Sequence, residues 1–217
     1  MTILLDPTYQ RMLFDGLWMT LFISVVVILV SNLLALPLAI YIQRPGGAFR
    51  RVIVGYSFFA RAAPVLALLF ALYYGLPKLG IYLEPVPSAL IGLIFASTAY
   101  NLEFLRSGFE SIPTGQSDAA KALGLKPFAI YWKVMIPQAY RLAAPALFSN
   151  AIQMVKGSSL ASLVAIDELT AASTVIISET YKAIEVLLLV SVFYLVIAAV
   201  IIGAQYLYES RQNLRRR

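Results

Sequence analysis

Residues Ser111–Ala139 read SIPTGQSDAAKALGLKPFAIYWKVMIPQA, a polar stretch set between long apolar segments. Proline, glycine and charged side chains recur through it, so it is the segments on either side that are fit to cross a bilayer, and this stretch is held outside. Ser117 is placed to cap a short helix over Asp118–Leu123, with Asp118 in the first turn where the positive end of the helix dipole favours a carboxylate. Gly124 stops that helix, Pro127 suits the first position of a second one over Phe128–Met135, and Pro137 opens the next apolar segment. Helices this short are unstable alone in water and need packing from elsewhere. Two roles fit the composition: an amphipathic loop resting on the membrane surface, or a folded element held out to a partner.

Outward from this island the chain is strongly apolar, with 60% hydrophobic and 13% charged residues over 217 positions. A mean hydropathy of +0.81 places it beyond ordinary soluble domains and defines an integral membrane protein. Spanning the roughly 30 Å hydrocarbon core takes about 20 mainly apolar residues at about 1.5 Å each. Five segments qualify, at about residues 19–42, 52–76, 87–110, 139–166 and 186–207, with 111–138 as the loop between the third and fourth. Runs such as ISVVVILV and LLLVSVFYLVIAAVII are continuous rather than alternating, so the spans are α-helices and the protein is all-α. The fourth segment carries Arg141, Asn150, Gln153, Lys156 and several serines, and must face protein or water along much of its length. The first segment is too long for a signal peptide and lacks a small-residue cleavage pattern before Arg44, so it is expected to stay in the mature chain. With no internal repeat, one domain over 1–217 suffices.

Charges sort by side. Arg44, Arg50 and Arg51 follow the first span, Lys121, Lys126 and Lys133 lie in the loop, and Arg211, Arg215, Arg216 and Arg217 follow the last. The alternate side holds Asp6, Asp15, Lys78, Glu84 and the acidic stretch Asp167, Glu168, Glu179 and Glu185 with Lys182. The bias of basic residues towards the inside predicts an external N-terminus and a cytoplasmic C-terminus. The net charge of +6 therefore reflects orientation and contact with anionic lipid, not a nucleic-acid surface. Cysteine and histidine are both absent, which excludes disulfides and thiolate metal sites and removes the usual general base and zinc ligand. No catalytic and no metal-binding residue is therefore assigned. Tyr73, Tyr74 and Tyr82 at one face, and Tyr131 and Trp132 at the other, suit the interfacial aromatic belts. Arg106 and Arg141 sit where they can snorkel from helix ends, with Glu110 as a partner for one of them.

Ionisable groups at membrane depth are costly and mark pathways. Arg61 lies about ten residues into the second span, roughly 15 Å deep if helical, and Glu103 on the third span can compensate it. A structural ion pair and a substrate contact both fit. On the fourth span, Lys156-Gly157-Ser158-Ser159 interrupts an apolar helix and can expose backbone polar groups towards a cavity; packing through small residues fits these serines equally well.

Asp118-Ala119-Ala120, then Gly124, Val134, Ile136 and Pro137, resembles the EAA loop of ABC importer permeases: Glu-Ala-Ala, three residues, Gly, nine residues, Ile, one residue, Leu-Pro. Every interval matches, with Asp118, Val134 and Ile136 as conservative departures. The stretches ALYYGLPKLG, SGFESIPTGQSDAAKALG, VMIPQAYRLAAPAL and KGSSLASLVAIDELT are similar to the polar amino acid branch of that family, so the resemblance covers nearly the whole chain. It implies the type I ABC importer permease fold with five transmembrane helices, in the bacterial cytoplasmic (inner) membrane. It implies that the loop is a coupling helix seated in a groove of a cytoplasmic ATPase, with small Ala119 and Ala120 allowing close approach. It also implies the partners: two copies of that ATPase, a second permease subunit as homodimer or heterodimer, and an extracytoplasmic substrate-binding protein. ATP and its Mg²⁺ would sit on the ATPase, leaving no cofactor on this chain, and an amino acid or small zwitterion such as an opine would move by alternating access. Two departures bear on the cargo. Arg61-Ala62-Ala63-Pro64 stands where the family has Arg-Gly-Thr-Pro, and Gly157 stands where related permeases often carry an acid or amide, which disfavours a purely cationic substrate. An ion-gradient transporter would need acidic groups at the midplane of a larger bundle, and a passive scaffold would not need both an intramembrane charge pair and the spaced loop.

Overall fold

The computed structural model describes residues 6–214, and side chains through residue 212. The basic tail Arg215-Arg216-Arg217, read above as a topology signal, lies outside the described residues. Helix α1 spans Pro7–Ile42, starting well before the apolar run does. Asp6 explains the early start: its side chain accepts the Thr8 N–H at 2.8 Å, and Pro7 needs no partner in the first turn. At the other end the Arg50 Nε donates to the Ile42 carbonyl at 3.1 Å, satisfying one of the orphan acceptors there.

The second expected span, 52–76, is two helices rather than one. Helix α2 (Ala48–Ala62) and helix α3 (Val65–Phe70) meet at a bend of 103°, after which α3 continues through a wide turn at Ala71–Gly75 and a tight one at Leu76–Leu79. Pro64 causes the break, since its ring drives Ala63 out of helical geometry to ψ 134 and its nitrogen offers no donor. Helix α4 (Pro85–Glu110) then crosses the bundle. Helix α5 (Thr114–Ala122) begins behind Pro113, so Ser117 lies inside it and caps nothing, and Asp118 is in its second turn. Helix α6 (Pro127–Ile130) is not a separate second helix: it runs through a wide turn at Tyr131–Met135 straight into helix α7 (Ile136–Gly157), which tightens over Ser158–Val164. The acidic stretch read as a connection holds helix α8 (Leu169–Thr180), and helix α9 (Ala183–Leu214) completes the described residues.

No strand occurs among the described residues. Helices α1, α4 and α9 are each long and apolar enough to cross a membrane, and five crossings result if the bent pairs 48–79 and 127–180 each count as one. Three apolar clusters stack along the bundle. Ala39, Ile53, Leu105, Phe109, Ile136 and Ala139 fill the end that carries α5. Ile23, Val27, Leu69, Leu93, Met154 and Ala161 fill the middle, and Leu13, Leu169, Ile176, Val186 and Val190 fill the opposite end. Between the first two lies a polar knot: Asn150 on α7 donates to Ser97 Oγ at 3.0 Å and Asn101 Oδ1 at 2.8 Å on α4. Ser97 and Asn101 both donate to Ser31 on α1, at 3.0 and 3.1 Å.

Helices α4 and α7 pack tightly at Gly108, where a Cβ would stand 2.5 Å from the Ala139 carbonyl oxygen. Gly108→Ala is therefore expected to lower the stability of the purified protein by about 1–3 kcal/mol, the cost of overpacking. Gly55→Ala, with nothing within 4 Å, leaves it unchanged or raised. Thermal unfolding in detergent reads the difference.

Candidate functional site

The loop between α4 and α7 is a compact knob. Gly124 sits at φ +75, a left-handed position that ends α5 and that side-chain-bearing residues enter only with strain. Its N–H and that of Leu125 return to the carbonyls of Lys121 and Ala120, at 2.9 and 3.2 Å. Asp118 is exposed and pairs with Lys121 at 3.0 Å, and Ala119 is exposed beside it. Ala120 faces inward, 4% exposed, and Ile136 is buried among Ile112, Phe109 and Ile53. Val134 is half-buried in the wide turn, its carbonyl accepting from Gln138 at 3.0 Å, and Pro137 is exposed. The motif thus divides into anchors, Ala120 and Ile136, and an outward surface. Leu123, Phe128 and Trp132 extend that surface, 82%, 73% and 53% exposed, with the two rings 5.9 Å apart. So much bare apolar area on a helical knob is a mark of an interaction face, towards protein or membrane.

Arg61 and Glu103 meet as the sequence analysis expected, at 3.6 Å. Glu103 also accepts from Ser57 Oγ at 2.8 Å and from Arg106 at 2.8 Å, and Arg106 reaches on to Glu110 at 2.7 Å. Arg106 therefore does more than snorkel: one turn of helix puts it over Glu103, and the pair becomes a network of four charged residues and Ser57. Arg141 is exposed. The Arg61 carbonyl takes a long bond, 3.4 Å, from Tyr100, whose ring lines an open cleft of 560 Å³ between α4 and α7.

That cleft is lined in part by Ser149, Gln153, Lys156, Gly157 and Ser159. Ser149, Gln153 and Lys156 follow i, i+4, i+7 spacing, so one face of α7 presents them together. Lys156 and Ser159 also line a second cleft of 490 Å³, against Ser191 and Tyr194 of α9. Gly157 has room for a side chain, since a Cβ there would touch only Leu93 at 3.9 Å. Ser158 lies elsewhere: it is fully buried, its hydroxyl returned to the Val155 carbonyl at 2.7 Å. Neither Arg61 nor Glu103 lines the clefts, so the six residues singled out on the spans fall into two neighbouring groups and one packing residue. Tyr74, expected as a belt aromatic, bonds the Leu163 carbonyl at 3.1 Å and ties the α3 extension to the end of α7. Glu168, counted among external acids, is fully buried between α1, α8 and α9.

The sequence signature described as "Binding-protein-dependent transport system inner membrane component" matches residues 31–214, and the chain belongs to this family. It is 30% identical over 192 residues to the nopaline transport system permease protein NocM of Agrobacterium fabrum, covering 84% of this chain and 80% of that one. It is 34% identical over 160 residues to the "Probable amino-acid ABC transporter permease protein YckA" of Bacillus subtilis, covering 72% and 69%. Among solved structures, an amino acid ABC transporter crystallised with histidines superposes with a TM-score of 0.87 at 28% identity, over 96% of this chain and 98% of that one. The protein is thus an integral inner-membrane permease subunit of an ABC importer, a transport component whose ATPase is a separate chain and which works with a binding protein.

Glu103→Ala would strip two guanidinium groups of their shared carboxylate, whereas Arg61→Gln leaves Glu103 held by Arg106 and Ser57. The first is expected to cost about 1–3 kcal/mol, discounted for the partial exposure of both arginines, and the second less than about 1 kcal/mol. Thermal denaturation of the two variants in one detergent compares them.

Proposed function

We propose that this chain carries an amino acid or a related small zwitterion, such as an opine, across the cytoplasmic membrane by alternating access. Its spans are those near 19–42, 52–76, 87–110, 139–166 and 186–207, the second and fourth bent. The N-terminus lies outside and the C-terminus inside, with the 111–138 loop in the cytoplasm. A second permease subunit, the same chain or a similar one, completes the pathway. Two ATPase subunits hold ATP and its Mg²⁺, and the extracytoplasmic binding protein delivers the cargo. Asp118, Ala119, Ala120, Gly124, Val134, Ile136 and Pro137 form the coupling element, and ATP-driven closure moves it as a unit with α7. Support comes from the substrates in the names of the relatives and from the charge bias of the loops.

In the cleft, Lys156 supplies one ammonium and no acidic side chain lines the wall, which suits a carboxylate group of the cargo. Gln153, Ser149 and Ser159 offer neutral hydrogen bonds, and Gly157 leaves space without charge. Arg61 and Glu103 stand behind Tyr100 and brace the wall; Ser158 packs the helix. Differential affinity of this cleft in two conformations is what couples cargo to the cycle.

The observation that carries the reading is the knob itself, which is turned by Gly124 and leaves Leu123, Phe128 and Trp132 exposed. Gly124→Leu has open space for its side chain but a strained backbone costing about 1–2 kcal/mol, too little to prevent insertion. The variant is expected to reach the membrane at normal levels and, assembled in proteoliposomes, to lose at least tenfold in import driven by ATP. Import at the parental rate would overturn the coupling role. Lys156→Gln is expected to raise the KM for import while leaving ATPase assembly intact, and an unchanged KM would remove Lys156 from the cargo site.

A further inference from the structure

Glu168 is a fully buried carboxylate that neither the clefts nor the knob employ. One oxygen caps α8 by accepting the Ala171 N–H at 2.9 Å. The other accepts hydroxyls from two different helices, Tyr194 of α9 at 2.8 Å and Thr20 of α1 at 3.2 Å. Thr20 in turn accepts the Leu169 N–H at 3.2 Å, and the Thr170 hydroxyl stands 3.0 Å from that of Tyr194. A helix cap needs only a short side chain, and a glutamate reaching to two further helices exceeds that need.

Three features surround this knot. Helix α8 follows a backbone break in which Ala165 is left-handed at φ 60, and its axis is bent by 56° from that of the preceding helix. On α1, Gly16 lies so close that a Cβ would stand 3.0 Å from the Glu168 and Leu169 backbone, which seats α8 in one place. Finally, Tyr194 belongs to both worlds: it lines the cleft that holds Lys156 and Ser159, while its hydroxyl is bound to Glu168.

We propose that the Tyr194–Glu168 hydrogen bond is a latch through which cargo held at Lys156 and reaching into the second cleft, the one of 490 Å³ against α9, sets the position of α8. An occupant of the cleft displaces the tyrosine, the carboxylate loses one of its two interhelical donors, and α8 pivots at residues 165–167. Tyr194 and Glu168 are positioning residues here. The inference rests on the reading of Lys156 as part of the transport route, because the cleft that Tyr194 lines shares Lys156 and Ser159 with the one assigned to the cargo.

The chain has no cysteine, so Ser173→Cys introduces a single thiol on the buried face of α8, where the serine is 1% exposed. Its modification rate by a thiol reagent in the assembled transporter reports release of that helix. Tyr194→Phe removes the hydroxyl alone, and Ser191→Phe fills the cleft beside Tyr194 without any ligand. Each is expected to raise the rate about tenfold, the effect of one buried hydrogen bond, and the double variant no further than either alone. A merely structural role for Tyr194 gives multiplying effects, and that result overturns the latch, as does an unchanged rate in both single variants. Should Tyr194→Phe fail to insert, Glu168→Gln replaces it in the same cycle with the same expectation. Import by Lys156→Gln in the same liposomes judges the cleft separately: unimpaired import removes the cleft reading, whereas impaired import with unchanged thiol rates sinks the latch alone.

Discussion

Inside a lipid bilayer, burying apolar side chains against one another rather than against acyl chains does little to choose a helix register, so directional polar bonds must do it. Here that task falls to Ser31, Ser97, Asn101 and Asn150, which join α1, α4 and α7 at the level between the two main apolar clusters. Ser31, Ser97 and Asn101 are at most 1% exposed and Asn150 6%, so moving one helix along another would strand them in hydrocarbon. The small-residue face of α1, with Ser24, Ser31, Ala35 and Ala39 buried, permits the close approach on which those bonds depend. Once α7 is held in register, the face bearing Ser149, Gln153 and Lys156 opens on a cleft, and its other end projects as the knob.

This arrangement joins the two ends of the bundle mechanically. From Pro127 to Val164 the backbone runs through α6, the wide turn and α7 without a loop, so a displacement of the knob is passed directly to the cleft. Ala120 and Ile136 clamp the knob to the bundle, which lets exposed Leu123, Phe128 and Trp132 act on it as a rigid body. Rigid-body movement of packed helices, rather than continuous bending, is how such cores transmit small shifts.

Much of this was legible in the sequence because the signals were local. Continuous apolar runs mark α1, α4 and α9, and Gly124 marks a left-handed turn by residue type alone. Arg61 and Glu103 could be paired because few groups at that depth can neutralise either one. The losses were non-local. Pro64 was visible, but hydropathy averages over the 103° bend that it causes. Helix α8 was hidden because its flanking acids suggested a water-exposed connection, and the hydroxyls that let Glu168 be buried come from other helices, Tyr194 of α9 and Thr20 of α1 at the far end of the sequence. The spacing of Ser149, Gln153 and Lys156 was available and identifies one polar helical face, but which side chains stand opposite is decided by packing.

The central claim is that the Ala-Ala-Gly knob is gripped by an ATPase on the inner side. Replacing exposed Leu123 by cysteine in this cysteine-free chain, and pairing it with single cysteines along the partner ATPase, tests it most directly. The account predicts a crosslink to the ATPase in inside-out vesicles and no reaction of that thiol with a membrane-impermeant reagent in intact cells. Labelling of the thiol from outside intact cells would contradict it.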